Sequence, residues 1–305
     1  VWGGEDGSYD TSTGVSSNPE YGKVFISIKP TTGANLTTVQ KSNLVSAFSP
    51  FKVASITPVI VDAETTYLIL NTTFNYDSSA TTSTKDDLAS LIATTISNYN
   101  TSDLQEFNNS FRHSKLTGLI DDSDTAILNN TTTVTMGKFF TPVLLSTSYT
   151  INYNNAFYNP YTGYNTELGG VVASTGFYLD NSTETEYFFD DDGSGNLRIY
   201  SLSTDAVRTY LNSAAGTVNY ATGVISTTSL LISAVSDIDG ASSSQIRITV
   251  IPNSNDVVPV RNQILEIDTI NTTEVIQGSD EWFAVRLGKL TASRLNDLMK
   301  KTKYG

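Results

Sequence analysis

The chain has 305 residues, which is long for one globular domain and suits two. Hydrophobic residues make up 39% and aromatic residues 10%, enough to build folded cores, so wholesale disorder is not expected. Cysteine is absent and His113 is the single histidine, which excludes disulfides, thiolate metal sites and a Cys nucleophile. One histidine also leaves little from which to build a histidine metal cluster or a Ser-His-Asp triad. The composition therefore favours a structural protein, not an enzyme.

The net charge of −13 is unevenly distributed, because six of the 18 basic residues lie in the last 29 residues. Residues 1–276 have no concentration of basic side chains that suits a phosphate backbone, so we expect no nucleic acid there. The sequence contains no run of 18 apolar residues and no signal pattern, which predicts no membrane segment. Residues 1–20 are rich in Gly, Ser, Asp and Thr, and the chain starts at Val1. We expect a linker from a missing upstream region.

Residues 21–140 alternate between strand and helix patterns. A strand with period two occupies Lys23–Pro30, and Thr37 caps a helix that ends before Pro50. Two more strands follow at 53–61 and 67–76, and then helical spacing begins after a capping box at Thr84. A second such box at Ser102 predicts another helix, and a strand near 131–140 closes the region. This order predicts a ferredoxin-like split βαβ domain, so the fold class is α+β.

Residues 141–268 have no helical periodicity. Short strand patterns recur between turn signals, as expected for an antiparallel all-β domain, either a sandwich or an open barrel. In the segment Tyr220–Val224 we expect Gly223 to take the left-handed position of a hairpin turn. Residues 269–305 form a separate tail.

An acidic turn, Asp190-Asp191-Asp192-Gly193-Ser194-Gly195-Asn196, provides the weak candidate for a metal site. Asp190, Asp192 and Ser194 occupy the first, third and fifth positions of a calcium loop. The twelfth position is Ser201, whereas such a loop needs a bidentate Glu, and the flanking patterns are strands. The prediction is a hairpin turn without a metal, with a bound cation as the alternative.

His113 lies beside Arg112, Ser114 and Lys115. A general base needs a partner carboxylate and a nucleophile, and Asp121, Asp122 and Asp124 are near it only in sequence. We therefore expect a surface or interface histidine and predict no catalytic residue and no cofactor.

Several segments resemble the C-terminal half of the baseplate wedge subunit of T-even-type contractile phages, in its marine and cyanophage form. The segments are VWGGE at 1–5, YGKVFISIKP at 21–30, FRHSKL at 111–116, FFDDDGSGNLRIY at 188–200, GTVNYATGVI at 216–225 and PNSNDVVPVRNQILEID at 252–268. The resemblance implies a virion protein of the tail baseplate, assembled in the cytoplasm of the host bacterium. It also implies a homodimer that joins neighbouring wedges around the hub and contacts other wedge and hub proteins.

The tail at 278–305 resembles the first segment of the phage recombination exonucleases of the λ-exonuclease/YqaJ type. The matching residues are Trp282, Arg286-Leu287-Gly288 and Thr291-Ala292-Ser293. The resemblance implies that Arg286 and Ser293 hold a 5′ phosphate, and that Mg²⁺ would be needed by acids beyond Gly305. The alternative is an amphipathic helix from Leu290 to Met299.

Two further functions stay open at this point. The first alternative to the baseplate function is the N-terminal extension of a 5′–3′ DNA exonuclease, which requires the missing metal ligands. The second is a carbohydrate-binding tail adhesin, which the Tyr- and Asn-rich β region suggests. Digestion of linear duplex DNA would favour the first alternative, and glycan binding by residues 141–268 the second.

Overall fold

A computed structural model of the chain describes residues 1–6, 19–30, 35–51, 55–164, 170–238, 240–260, 263–268 and 277–280. Most of the predicted linker at 1–20 lies outside these ranges. Within them the chain forms three α-helices: α1 (Thr38–Phe48), α2 (Lys85–Asp103) and α3 (His113–Asp121).

The described residues also form strands from one end of the chain to the other. They are β1 (Trp2–Gly3), β2 (Lys23–Ile28), β3 (Thr57–Asp62), β4 (Glu64–Tyr76), β5 (Ile127–Phe140), β6 (Thr150–Asn152), β7 (Val172–Ser174), β8 (Phe177–Leu179), β9 (Tyr187–Asp191), β10 (Asn196–Leu202), β11 (Arg208–Asn219), β12 (Val224–Thr227), β13 (Ile232–Val235), β14 (Ile246–Val250), β15 (Gln263–Ile267) and β16 (Gln277–Asp280). The broad α+β class is therefore confirmed, with strands dominating.

The first sheet is a small one of three strands in the order β1-β2-β3. β2 and β3 are parallel, with Phe25 paired to Val59, so the helix α1 between them is a crossover connection. Thr37 caps α1 as predicted: its side chain accepts from the Gln40 amide, and the Gln40 side chain accepts from the Thr37 amide. The aromatic side chain of Phe25 and the aliphatic side chain of Ile60 are buried in this sheet.

The structure corrects the prediction of a ferredoxin-like arrangement. Its element order is present, but a split βαβ fold puts all four strands in one sheet, whereas β2 and β3 belong to the small sheet and β4 and β5 to a second, larger sheet. The reason lies between β3 and β4. β3 ends one residue later and β4 begins three residues earlier than the sequence pattern predicts, so that Ala63 alone separates them. One residue is too short for a hairpin turn, so the chain passes from one sheet into the next.

The structure divides into two compact units, each discontinuous in sequence. Unit 1 is Val1–Leu68, Leu104–Phe111 and Thr135–Glu266, and unit 2 is Ile69–Asp103, Arg112–Val134 and Ile267–Gly305. β4 and β5 each run through both units. The division therefore does not follow the predicted limits 21–140, 141–268 and 269–305, and independent folding of those segments stays a prediction.

In unit 2 the helix α2 buries most of the face that its apolar spacing predicts. Leu88, Ile92, Ile96 and Tyr99 are buried, whereas Leu91 of the same predicted set is 37% exposed. Thr84 exchanges capping hydrogen bonds with Asp87 before the helix. The helix predicted from Ser102 is wrong. The chain leaves helical geometry after Asp103, since Gln105 has a φ of 62°, and α3 does not begin until His113.

In unit 1 the region after 141 contains no helix among the residues that are described there, as expected. Its strands pair in antiparallel fashion along the path β5-β14-β7-β9-β10-β11-β12-β6, with β13 beside β8. The strands β7 and β15 are too short or too apolar to show alternation, and the sequence pattern misses both. Gly223 has a φ of 71°, which confirms its predicted left-handed position between β11 and β12.

Candidate functional site

The buried polar cluster of unit 1 lies on three neighbouring strands, β9, β10 and β11. Asp190 at the end of β9 is 1% exposed and faces Arg198 of β10, with which it is directly paired in the ladder. Arg198 donates from Nε to Asp190 Oδ1 at 2.8 Å and from Nη2 to Oδ2 at 3.1 Å, a bidentate pair. From β11, Arg208 Nη1 donates to Oδ2 at 2.6 Å. One buried carboxylate therefore neutralises part of the charge of two arginines.

Aromatic rings lie against both guanidinium groups. Arg198 stands 4.3 Å from the centre of the Tyr210 ring, and Arg208 stands 4.5 Å from the centre of the Tyr200 ring. This crossed arrangement follows from the ladder, in which Tyr200 is opposite Tyr210. The Tyr210 hydroxyl also donates to Asp190 Oδ2 at 2.9 Å. Each guanidinium thus has a carboxylate in its plane and a ring on its face, which lowers the free-energy cost of its burial.

The candidate metal turn joins β9 to β10, and protein donors occupy its carboxylates. Asp191 Oδ1 accepts from the Val172 amide at 2.8 Å, and its Oδ2 accepts from the Tyr220 hydroxyl at 2.6 Å. Asp192 Oδ1 accepts from the Ser194 amide at 2.7 Å, while its Oδ2 accepts from Asn196 Nδ2 at 2.6 Å. Since every carboxylate oxygen of the three aspartates already accepts a hydrogen bond, the geometry favours a turn closed by its own donors.

The pKa shifts at the cluster agree with this interpretation. Burial would raise the pKa of Asp192, but the hydrogen bonds from Asn196 and Ser194 lower it below its usual value overall. Burial, and secondarily the hydrogen bond to Asp191, raises the pKa of Tyr220 far above its usual value. Burial also raises the pKa values of Tyr200 and Tyr210. The phenols thus stay neutral, and Tyr210 and Tyr220 donate to the carboxylates of Asp190 and Asp191.

A second buried charge pair lies in unit 1, with Glu64 at the start of β4 and Lys138 near the end of β5. Lys138 donates to Glu64, and its Nζ also donates to the Asn152 carbonyl oxygen at 2.5 Å. Both side chains are 7% exposed, and Oε2 of Glu64 has no hydrogen-bond partner in the described structure. A pocket of about 330 Å³ adjoins the pair, with Asp62, Asn152 and Gln245 among its lining residues. Because Glu64 and Lys138 are 74 residues apart, no sequence pattern connects them.

His113 contacts the backbone of β5. It begins α3, and its Nε2 lies 2.7 Å from the Thr132 carbonyl oxygen. Asp121 ends the same helix, about 12 Å away along the axis at 1.5 Å per residue. Asp121 accepts from Asn130 of β5, whereas Asp124 accepts from the Ala126 amide and closes a local turn. The histidine fastens α3 to β5.

The other predicted site residues, Arg286 and Ser293, lie outside the described residues, as does the helix predicted at 290–299. The residues that sequence reasoning missed are Arg208, Tyr210, Glu64 and Lys138. The sequence contains the pattern Arg-x-Tyr twice, at Arg198-x-Tyr200 and at Arg208-x-Tyr210. This repeat could have pointed to Arg208 and Tyr210. Among the described residues, no helix is long and apolar enough to cross a membrane.

Comparison with protein families gives two consecutive matches. Residues 1–61 match C-terminal domain I of the baseplate structural protein gp6, and residues 64–138 match C-terminal domain III. The boundary between the two matches falls at Ala63, where the chain leaves the small sheet. A similar protein is the baseplate wedge protein gp6 of Enterobacteria phage T4, which is 29% identical over 140 residues, or 46% of this chain. The chain spans about a fifth of that protein's length, as the aligned region covers 21% of it.

The two matches mark residues 1–138 as similar to a structural protein of the phage tail baseplate. More particularly, they are similar to C-terminal domains I and III of the gp6 baseplate wedge subunit. This similarity supports a place for the chain in the tail baseplate of the virion.

Proposed function

We propose that this chain self-associates as a dimer and thereby joins neighbouring wedges into a ring around the tail hub. The observation that carries the proposal is the pair of consecutive domain matches at 1–61 and 64–138, since these are domains of a wedge protein. A ring component needs a rigid shape and exposed interfaces, and it needs no cofactor.

The interior and surface of the chain support such a role. The buried charge cluster around Asp190 is satisfied by its own donors and presents no reacting group, so it stabilises the β-hairpins. The surface carries several large apolar side chains, among them Leu144 and Leu145, which are 73% and 72% exposed. Adjacent exposed leucines of this kind are available for burial against a partner.

Static light scattering of the 305-residue chain, from micromolar to tens of micromolar, tests the self-association. The expected result is twice the chain mass at the higher concentrations. A single species of one chain mass throughout would contradict the dimer.

Capture of wedge and hub proteins from the same phage, co-expressed with the chain, tests the link between wedges. The expected result is a stable complex that survives moderate salt. If the chain instead binds glycans or digests linear DNA and captures no wedge protein, the wedge role is wrong.

A further inference from the structure

The loop between β5 and β6 projects three consecutive apolar side chains into solvent. Val143, Leu144 and Leu145 are 49%, 73% and 72% exposed. The loop is held at both ends, because the Val143 amide donates to the Tyr149 hydroxyl at 3.0 Å and Thr147 exchanges backbone hydrogen bonds with Leu230. The leucines are therefore presented by a fastened loop, which reduces the entropy lost if a partner covers them.

A groove of about 320 Å³ lies beside this loop in the same unit. Ser146, the residue after Leu145, lines it. The other lining residues are aliphatic or polar: Leu179, Ile199, Leu211, Leu230 and Leu231, with Asp180, Asn212 and Ser229. Leu211 is itself 57% exposed. An apolar projection and a groove with mixed aliphatic and polar lining thus adjoin on one face, and Ser146 connects the two.

We infer that this face is a two-fold interface, in which the Leu144–Leu145 loop of each copy enters the groove of a second copy of the chain. The inference rests on the proposed self-association and names its surface. In a two-fold contact both copies use the same surface patch, so if the loop of one copy enters the groove of the other, the reverse contact forms as well. Projection and groove must therefore be on the same face, as they are here.

Charge points to a second copy as the occupant. The chain carries a net charge of −13, so two copies repel each other over most of their surfaces. The loop residues Val143, Leu144 and Leu145 are uncharged, and Asp180 is the one charged residue among those described in the groove lining. Burial of this face brings few like charges together, whereas a strongly basic partner would gain little from an uncharged surface.

The main test replaces Leu144 and Leu145 together by Asp in the 305-residue chain. Sedimentation equilibrium should show the dimer dissociation constant raised by at least about 30-fold, because two carboxylates would have to be buried in a groove that already contains Asp180. The matched control is Val39→Asp with Phe51→Asp, which adds the same charge at side chains that are 69% and 86% exposed elsewhere. The control should dimerise as the unaltered chain does.

A groove variant supplies an independent arm. Leu211→Asp should weaken the dimer as well, and Leu211→Lys added to the loop variant should restore part of the affinity, since lysine would face aspartate across the two-fold axis. Circular dichroism and melting temperature verify that each variant is folded. If the unaltered chain dimerises and the loop and groove variants dimerise equally well, the surface is wrong and the proposed dimer stands. A monomeric unaltered chain would overturn both.

Discussion

Unit 2 buries aliphatic side chains supplied at helical spacing, and Leu88, Ile92 and Ile96 of α2 are each 1% exposed or less. The hairpins β9, β10 and β11 of unit 1 bury a charge cluster instead, with Asp190 at 1% and Arg198 at 9% exposure. Apolar contacts are non-directional and tolerate small displacements, whereas the cluster requires its donors at fixed positions.

This difference predicts which substitutions should destabilise each region. Loss of an aliphatic side chain from α2 leaves a cavity with apolar walls, and the neighbours relax into part of it. Loss of Asp190 leaves Arg198, whose side chain is 10% exposed, without its carboxylate partner, and it removes the partner of Arg208, which is 30% exposed. The charged region should therefore respond to single substitutions more strongly, and to matched double substitutions less strongly.

The largest effect is expected for Asp190→Ala, which should lower the free energy of unfolding by about 3–5 kcal/mol because it leaves buried positive charge uncompensated. Urea unfolding followed by fluorescence measures it. The double variant Asp190→Leu with Arg198→Met removes both charges and should be less destabilised than Asp190→Ala alone. Equal losses in the single and double variants would mean that the ion pair is not what makes the cluster sensitive.

A second prediction concerns the buried charge pair of Glu64 and Lys138, in which the carboxylate has fewer hydrogen-bond donors than Asp190 has. Burial lowers the pKa of Lys138 to about 7. An unfolded lysine titrates near 10.4, so between these values the unfolded chain binds a proton that the native chain does not. The free energy of unfolding should therefore rise with pH, by about 1–3 kcal/mol between pH 7 and pH 9.

The double variant Glu64→Gln with Lys138→Met removes both titrating groups of this pair and is the control for that slope. Urea unfolding at pH 7, 8 and 9 should give a flatter pH dependence for the variant than for the unaltered chain. Parallel curves would show that Lys138 keeps its proton in the native state.

The comparison also explains what the sequence can predict. Helical spacing in α2 and the Thr84 cap are local patterns, and both appear in the structure as expected. The sheet partners of β3 and β4 depend on a single connecting residue, Ala63, and strand patterns are too imprecise at their ends to reveal it. The arginine cluster depends on the register of three strands, which no local pattern contains.

The smallest expected effect distinguishes a turn closed by protein donors from a cation site. Calcium at millimolar concentration should leave the melting temperature unchanged, because any ion that binds the native state alone would raise it. Asp192→Asn provides the matched variant. It keeps one acceptor oxygen but removes the charge that the amides of Ser194 and Asn196 stabilise, and it should lower stability by about 1 kcal/mol. If calcium raises the melting temperature of the unaltered chain and not of Asp192→Asn, the turn is a cation site, and the cluster around Asp190 would then have to be understood as its support.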